Sequence, residues 1–121
     1  MPDASQFAVD AERLADDVAV VALAGEVDLY TAPRFKEVIM HSIDDGALRV
    51  VVDLTGATFI DSTALGVLVS AGKRLRLRQG ALAIACLDGN IRRILEITGL
   101  DGVFAICPSR AEAVGSLALE H

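Results

Sequence analysis

The chain has 121 residues and a formal net charge of -6 at pH 7, so it offers no basic stripe to a phosphate backbone and direct nucleic-acid binding is excluded as its expected role. Apolar residues make up 53% of it and aromatics only 4%, which predicts one core of Ala, Val, Leu and Ile in layered α/β packing. No apolar run reaches the roughly eighteen residues of a membrane span, and the N-terminus "MPDASQFAVD" lacks the basic-then-apolar plan of a secretory signal, so a cytoplasmic protein that does not contact the membrane is expected.

Residues 6–11 alternate, with Phe7 and Val9 on one side, and "ADD" at 15–17 makes a turn before the apolar run 18–24. This pattern predicts an antiparallel hairpin whose second strand is interior. "GEVDLYTAP" then reads as a loop. Thr31 is the expected N-cap of a first helix with Pro33 in its first turn, and Phe35, Val38, Ile39 and Ile43 recur at helical spacing until Asp44-Asp45-Gly46 stops them. "RVVVDL" at 49–54 is short and apolar on both faces, as a buried parallel strand should be. A second helix begins near Ser62, followed by the strand "ALAIAC" at 81–86. Asp88 or Asn90 caps a third helix carrying Ile91, Ile94, Leu95 and Thr98, with Gly99 at its C-cap. A strand at 103–107 follows, and Ser109 and Glu112 have capping-box spacing for a last helix that Gly115 weakens.

The order β-β-α-β-α-β-α-β-α predicts an α/β fold with a mixed, mostly parallel sheet of about five strands, an antiparallel N-terminal edge strand and about four helices. A single domain over 1–118 is expected, and the final "LEH" at 119–121 resembles a truncated affinity-tag junction. Cys86 and Cys107 each fall in an apolar stretch and are expected to be buried, reduced thiols.

On a helical wheel, residues 62–77 place Leu65, Leu68, Gly72 and Leu75 on one side, flanked by Ala64 and Ala71. The opposite side holds Ser62, Gly66, Ser70 and Lys73, with Val67 and Val69 at its margins. Its first three turns are nearly free of charge, which fits a docking face; the plainer alternative is that small residues fit a neighbouring loop.

The pair Ser62-Thr63 in "TFIDSTALGVLVSAG" has three readings. As a cap, Asp61, Ser62 or Thr63 accepts a backbone N–H. As a nucleophile, the pair needs a base, and the only histidines are His41, in the first helix, and His121, in the tail; "DSTAL" also lacks the G-x-S-x-G elbow. No enzyme activity, catalytic residue, cofactor or metal is therefore expected. As a switch, a phosphate at the helix N-terminus meets unpaired N–H groups and adds about -1.5 to -2 charge to the docking face.

Taken together, "GEVDLYTAP", "VVVDLTGATFIDSTALGVLVSAGKRL" and "RRILEITGLDGVF" resemble the STAS domain, specifically the stand-alone bacterial anti-sigma factor antagonists, from about residue 7 to 114. The resemblance implies an α/β sandwich that binds a GHKL-type anti-sigma factor, itself a serine kinase, and so releases a sigma factor. It makes Ser62 the phosphoacceptor, with Thr63 the second choice, and it implies a serine phosphatase that resets the switch. Asp28 matches the acidic residue of the family's partner-contacting loop, and Asp61 the acid before the phosphoserine. Together with the helix face, the partner-binding set is Asp28, Asp61, Ser62, Thr63, Gly66, Val69, Ser70 and Lys73. By the same resemblance the free chain is a monomer, and nucleotide and magnesium belong to the partner.

On this reading the phosphate stands beside Asp61, with no basic residue before Lys73. The family often carries glycine where this chain has Ala64; alanine favours helix by about 1 kcal/mol, which is expected to firm the first turn and slow phosphorylation. Two alternatives go with the family: a STAS scaffold or transporter-associated subunit without a phosphorylation cycle, and a nucleotide-binding STAS module, for which no Walker-type loop is present.

Overall fold

A computed structural model describes residues 6–118. The tail at 119–121, including His121, and residues 1–5 of the N-terminal stretch lie outside them. The elements are β1 (Ala8–Ala15), β2 (Val18–Val27), α1 (Ala32–Asp44), β3 (Arg49–Ile60), α2 (Ser62–Leu77), β4 (Ala81–Ala85), α3 (Gly89–Ile97), a single 3-10 turn (Leu100–Gly102), β5 (Ala105–Cys107) and α4 (Arg110–Ala118). They form one sheet in the order β1-β2-β3-β4-β5, antiparallel at β1-β2 and parallel thereafter, with β1 at an edge. Order, topology and edge strand are as the sequence predicts.

The sheet is covered on both faces. Phe35, Ile39 and Ile43 of α1, Leu68 and Leu75 of α2, and Ile91 and Leu95 of α3 join Val21, Val50, Val52 and Ile84 in the larger core. On the other face Ala113 and Leu117 of α4 pack on Val20, Val51, Ala83 and Ala85. Each fully buried branched aliphatic contributes about 1.5–3 kcal/mol relative to exposure, so the α1–α2 side carries most of the hydrophobic stabilisation. Cys86 lies in the first core and Cys107 against the second. Their backbones are bonded, Cys86 N–H to the Cys107 carbonyl at 2.8 Å, yet the alternation of side chains across a strand sends the two thiols to opposite faces. Cys86 is buried as expected, but Cys107 is only half-buried because the short β5 lies at the sheet's open edge.

Several boundaries differ from expectation: the first strand runs Ala8–Ala15 where the alternation covered 6–11 and the turn 15–17, and β4 stops at Ala85, one residue before Cys86. The strand expected to end at Ala24 continues through Val27, and the one expected to end at Leu54 continues through Ile60. The two tails pair with each other, and β3 holds 12 residues against 10 in β2. Register shifts between Ala22 and Ala24 and between Gly25 and Glu26 absorb the difference as bulges. The last strand begins at Ala105 and not at Val103, because Leu100–Gly102 curl into the 3-10 turn first.

Helix ends follow local chemistry. Asp88 caps α3, its Oδ1 accepting from Asn90 and Ile91 N–H at 2.8 and 3.0 Å, and Gly99 takes the left-handed φ of 78° that terminates it. Ser109 Oγ accepts from Glu112 N–H at 3.1 Å to open α4. Thr31 does precede α1, but its side chain makes no cap hydrogen bond. The hydroxyl turns back to donate to the Glu26 carbonyl at 2.9 Å and accept from Asp28 N–H at 2.8 Å. On α2, Gly72 is required by packing: a Cβ there would lie 2.6 Å from the buried Phe104 ring.

A clamp fixes α4 to the sheet. Asp53, buried in β3, accepts at Oδ1 from the Thr55 amide (2.9 Å) and hydroxyl (2.7 Å), and at Oδ2 from Arg110 Nε (3.0 Å). Arg110 Nη1 also reaches Glu12 Oε1 on β1 at 3.3 Å. Burial pushes the Asp53 carboxyl up, but the Thr55 and Arg110 hydrogen bonds and the guanidinium charge outweigh it and hold the group below the ordinary carboxylate value. A depressed folded value contributes stability that is present above the unfolded pKa, about 4, and is lost as pH falls through the folded one. We expect Arg110→Ala to lower stability by about 2 kcal/mol at pH 7, the guanidinium being half exposed. It should also flatten the acid limb below pH about 4; urea titrations of both proteins from pH 3 to 7 check both effects.

Candidate functional site

Because β2 and β3 are parallel, their C-terminal ends emerge together, Val27 opposite Ile60. Asp61 follows at once, its N–H donating to the Val27 carbonyl at 3.2 Å. Its carboxylate then serves two elements. Oδ1 accepts from Thr63 and Ala64 N–H at 2.9 and 3.2 Å, capping α2, and Oδ2 accepts from Leu29 N–H at 3.1 Å. One side chain thus starts the helix, a contribution of about 0.5–2 kcal/mol, and holds the β2–α1 loop beside it. Asp28 is turned into its own loop: Oδ1 accepts from Tyr30 and Thr31 N–H at 2.9 and 3.1 Å, and its carbonyl accepts from Ala32 N–H at 2.7 Å to open α1. The two carboxylates are linked only through the backbone of Leu29.

Ser62 is the first residue of α2 and is exposed. Of the three capping candidates only Asp61 caps, and among the described residues no hydrogen bond engages the Ser62 hydroxyl. The expectation that a phosphate here meets unpaired N–H groups is therefore corrected, since those of Thr63 and Ala64 are already taken by Asp61. A phosphate on Ser62 would follow a carboxylate that already holds both of those donors. Thr63 is half-buried. Ala64 is buried, its methyl part of the core.

Along the same face Gly66, Ser70 and Lys73 are exposed and Val69 is half-buried. Val67, placed at the margin by the wheel, is buried because α1 packs beside it. Lys73 is about 16 Å along the helix axis from Ser62, at 1.5 Å per residue. The face ends at Leu77, which is 87% exposed. A Cβ added at Gly66 meets nothing within 4 Å, so the fold itself does not require that glycine.

Two features were not singled out from sequence. The first is an exposed apolar group at the same end of the sheet: Leu29 (61% exposed), Tyr30 (87%) and Phe59 (46%). The bulge at Thr58 turns Phe59 outward against the alternation of its strand. The second is an open groove of about 330 Å³ between α1 and α2, which Lys36 lines together with Thr63, Gly66 and Ser70. Lys73 is therefore not the first basic group near the pair, as the linear sequence implies; α1 brings Lys36 closer.

His41 is exposed near the C-terminal end of α1, so among the described residues no imidazole stands beside Ser62 to take its proton. Among the described residues no group of three or more His, Cys, Asp or Glu is placed to hold a metal ion, and no helix is long and apolar enough to cross a membrane. What remains is a flat, weakly charged helix face with an available hydroxyl at its head.

Known proteins share this plan. Residues 10–113 match the STAS domain. An anti-sigma-B factor antagonist of Listeria monocytogenes is 40% identical over 107 residues, covering 87% of this chain and 91% of its own. The crystal structure of an anti-sigma factor antagonist from Mycobacterium paratuberculosis superposes with a TM-score of 0.87 at 25% identity, over 98% of this chain and 99% of that one. The Bacillus cell fate determinant SpoIIAA in its phosphorylated form has the same fold, with a TM-score of 0.72 at 17% identity over 90% of this chain and 98% of its own. Matched over most of its length in both sequence and fold, the chain belongs to the STAS domain family, among the anti-sigma factor antagonists, which are regulators and not enzymes.

Proposed function

We propose that this chain is a cytoplasmic partner switch that docks, unmodified, on an anti-sigma factor of the GHKL serine-kinase type and so frees a sigma factor. The docking surface is the N-terminal face of α2 with the β2–α1 loop: Ser62, Thr63, Gly66, Val69, Ser70 and Lys73 on the helix, Asp28 and Asp61 fixing the loop against it. Phosphorylation of Ser62 ends the complex, and a serine phosphatase restores the free, monomeric antagonist.

The observation that carries this reading is the division of labour at the head of α2. Asp61 makes the cap bonds, which leaves the Ser62 hydroxyl exposed and, among the described residues, unengaged. Its modification therefore breaks no cap bond. Thr63, half-buried against α1, is the poorer acceptor.

The test is incubation with the anti-sigma kinases of the source organism and ATP, read by intact mass. One phosphate gained by the native chain and none by Ser62→Ala is the expected result; modification that persists in Ser62→Ala moves the acceptor elsewhere. Ala64→Gly, which removes a buried methyl and about 1 kcal/mol of helix preference, is expected to speed the same reaction severalfold, and an unchanged rate means that local opening does not limit it.

A further inference from the structure

We infer that the groove between α1 and α2 receives one acidic side chain, Asp or Glu, from the bound partner, with Lys36 as its counter-charge. The inference rests on the docking reading above and assigns to that interface its charged contact.

The groove opens beside Ser62 on the docking face, so a partner seated on that face covers it. Its walls are apolar, from Ala32, Pro33 and Val67, while Thr63 and Ser70 bring hydroxyls and Lys36 the single cation. At about 330 Å³ it sits at the lower bound of small-molecule pockets, and it is open along one side. That shape suits a protruding side chain better than an enclosed ligand.

Lys36 is set apart by its place, as the cation among the groove's lining residues. Arg34 pairs with Glu37 at 2.8 Å and Arg74 with Asp44 at 3.0 Å, while Lys73 and Arg76 of α2, which do not line the groove, have no ion pair among the described residues. Lys36 makes no ion pair among the described residues, although the chain carries a net charge of -6. Of the acids of the site, Asp61 spends both oxygens, and Asp28 its Oδ1, on backbone N–H groups. An unpaired ammonium over apolar walls is an incomplete contact that a carboxylate completes, its lost hydration being offset by the pair and the two hydroxyls. A phosphate is the weaker candidate, since one lysine offers a point charge without the bidentate fork that phosphate sites favour.

The experiment measures binding of the purified anti-sigma partner to the native chain, Lys36→Met, Lys36→Glu and Ser62→Glu, at low and high salt, with melting curves as the folding control. Lys36 is exposed, so the lysine variants should melt with the native protein. Lys36→Glu is expected to lose at least about tenfold in affinity, because like charges then face each other across the interface. Lys36→Met should lose less, and its deficit should shrink at high salt. Native-strength binding by Lys36→Glu, while Ser62→Glu fails to bind, overturns the groove assignment and leaves the docking reading standing. Native-strength binding by both variants overturns the docking reading itself. A chemical-shift change at Lys36 with inorganic phosphate, together with full partner binding by Lys36→Glu, makes the groove an anion site and also overturns the inference.

Discussion

Ser62→Glu is expected to weaken binding of the anti-sigma factor by more than about a hundredfold while leaving the melting temperature near that of the native chain. Ser62 is exposed and its hydroxyl makes no hydrogen bond among the described residues, so the substitution removes no hydrogen bond among them. A carboxylate in the first turn is moreover favoured by the positive end of the helix dipole. The cost falls on the complex. Asp61 already fills the Thr63 and Ala64 N–H groups, so those donors do not receive the new charge, which must be desolvated beside another carboxylate. Burying an uncompensated charge of this kind costs several kcal/mol, and about 2.8 kcal/mol is a hundredfold. Calorimetric titration of the partner checks it, with Ser62→Ala as the neutral control that should bind as the native chain does. Full-strength binding by Ser62→Glu would sink the charge mechanism, whatever the acceptor proves to be. Phosphate itself, with about twice the charge, should act at least as strongly.

Local patterns carried much of this site and failed at defined places. Hydrophobic spacing placed α2 from Ser62 to Leu77 and predicted its exposed and buried sides, because 3.6-residue periodicity is a local property. The β-branched runs placed the central strands for the same reason. Their tails were not legible: the pairing of 25–27 with 57–60 depends on two bulges, and a bulge inverts the in-out alternation from which a strand is read. Phe59 was missed on that account. Lys36 was missed because nothing in the sequence near Ser62 shows which face of α1 will lie against α2. The choice of Asp61 over Ser62 as cap was likewise undecidable from sequence, both being good cap residues. Tertiary structure decided it, since only the preceding position also reaches Leu29 N–H.

Gly66→Gln is expected to make the protein more stable and less able to bind. The two interior glycines of α2 are small for different reasons. A side chain at Gly72 would strike Phe104, whereas one at Gly66 enters open space on the exposed face. Glycine in a helix interior costs about 0.8–1 kcal/mol relative to good helix formers. Replacing Gly66 should therefore raise stability by about 0.5–1 kcal/mol, a rise of about 2–5 °C in melting temperature for a chain of this size. If a partner lies flat on this face, the glutamine becomes a wedge in a formed interface; overpacking of that kind reaches about 3 kcal/mol, or roughly a hundredfold in affinity. Gly115 on α4 supplies the control, because a Cβ there also meets nothing within 4 Å, and α4 covers the opposite face of the sheet. Gly115→Gln should gain similar stability and bind at native strength. Melting curves and partner titrations on the three proteins separate the outcomes: a stabilised Gly66→Gln that still binds fully would take the interface off this face of α2, and loss of binding in Gly115→Gln alone would move it to the other side of the sheet.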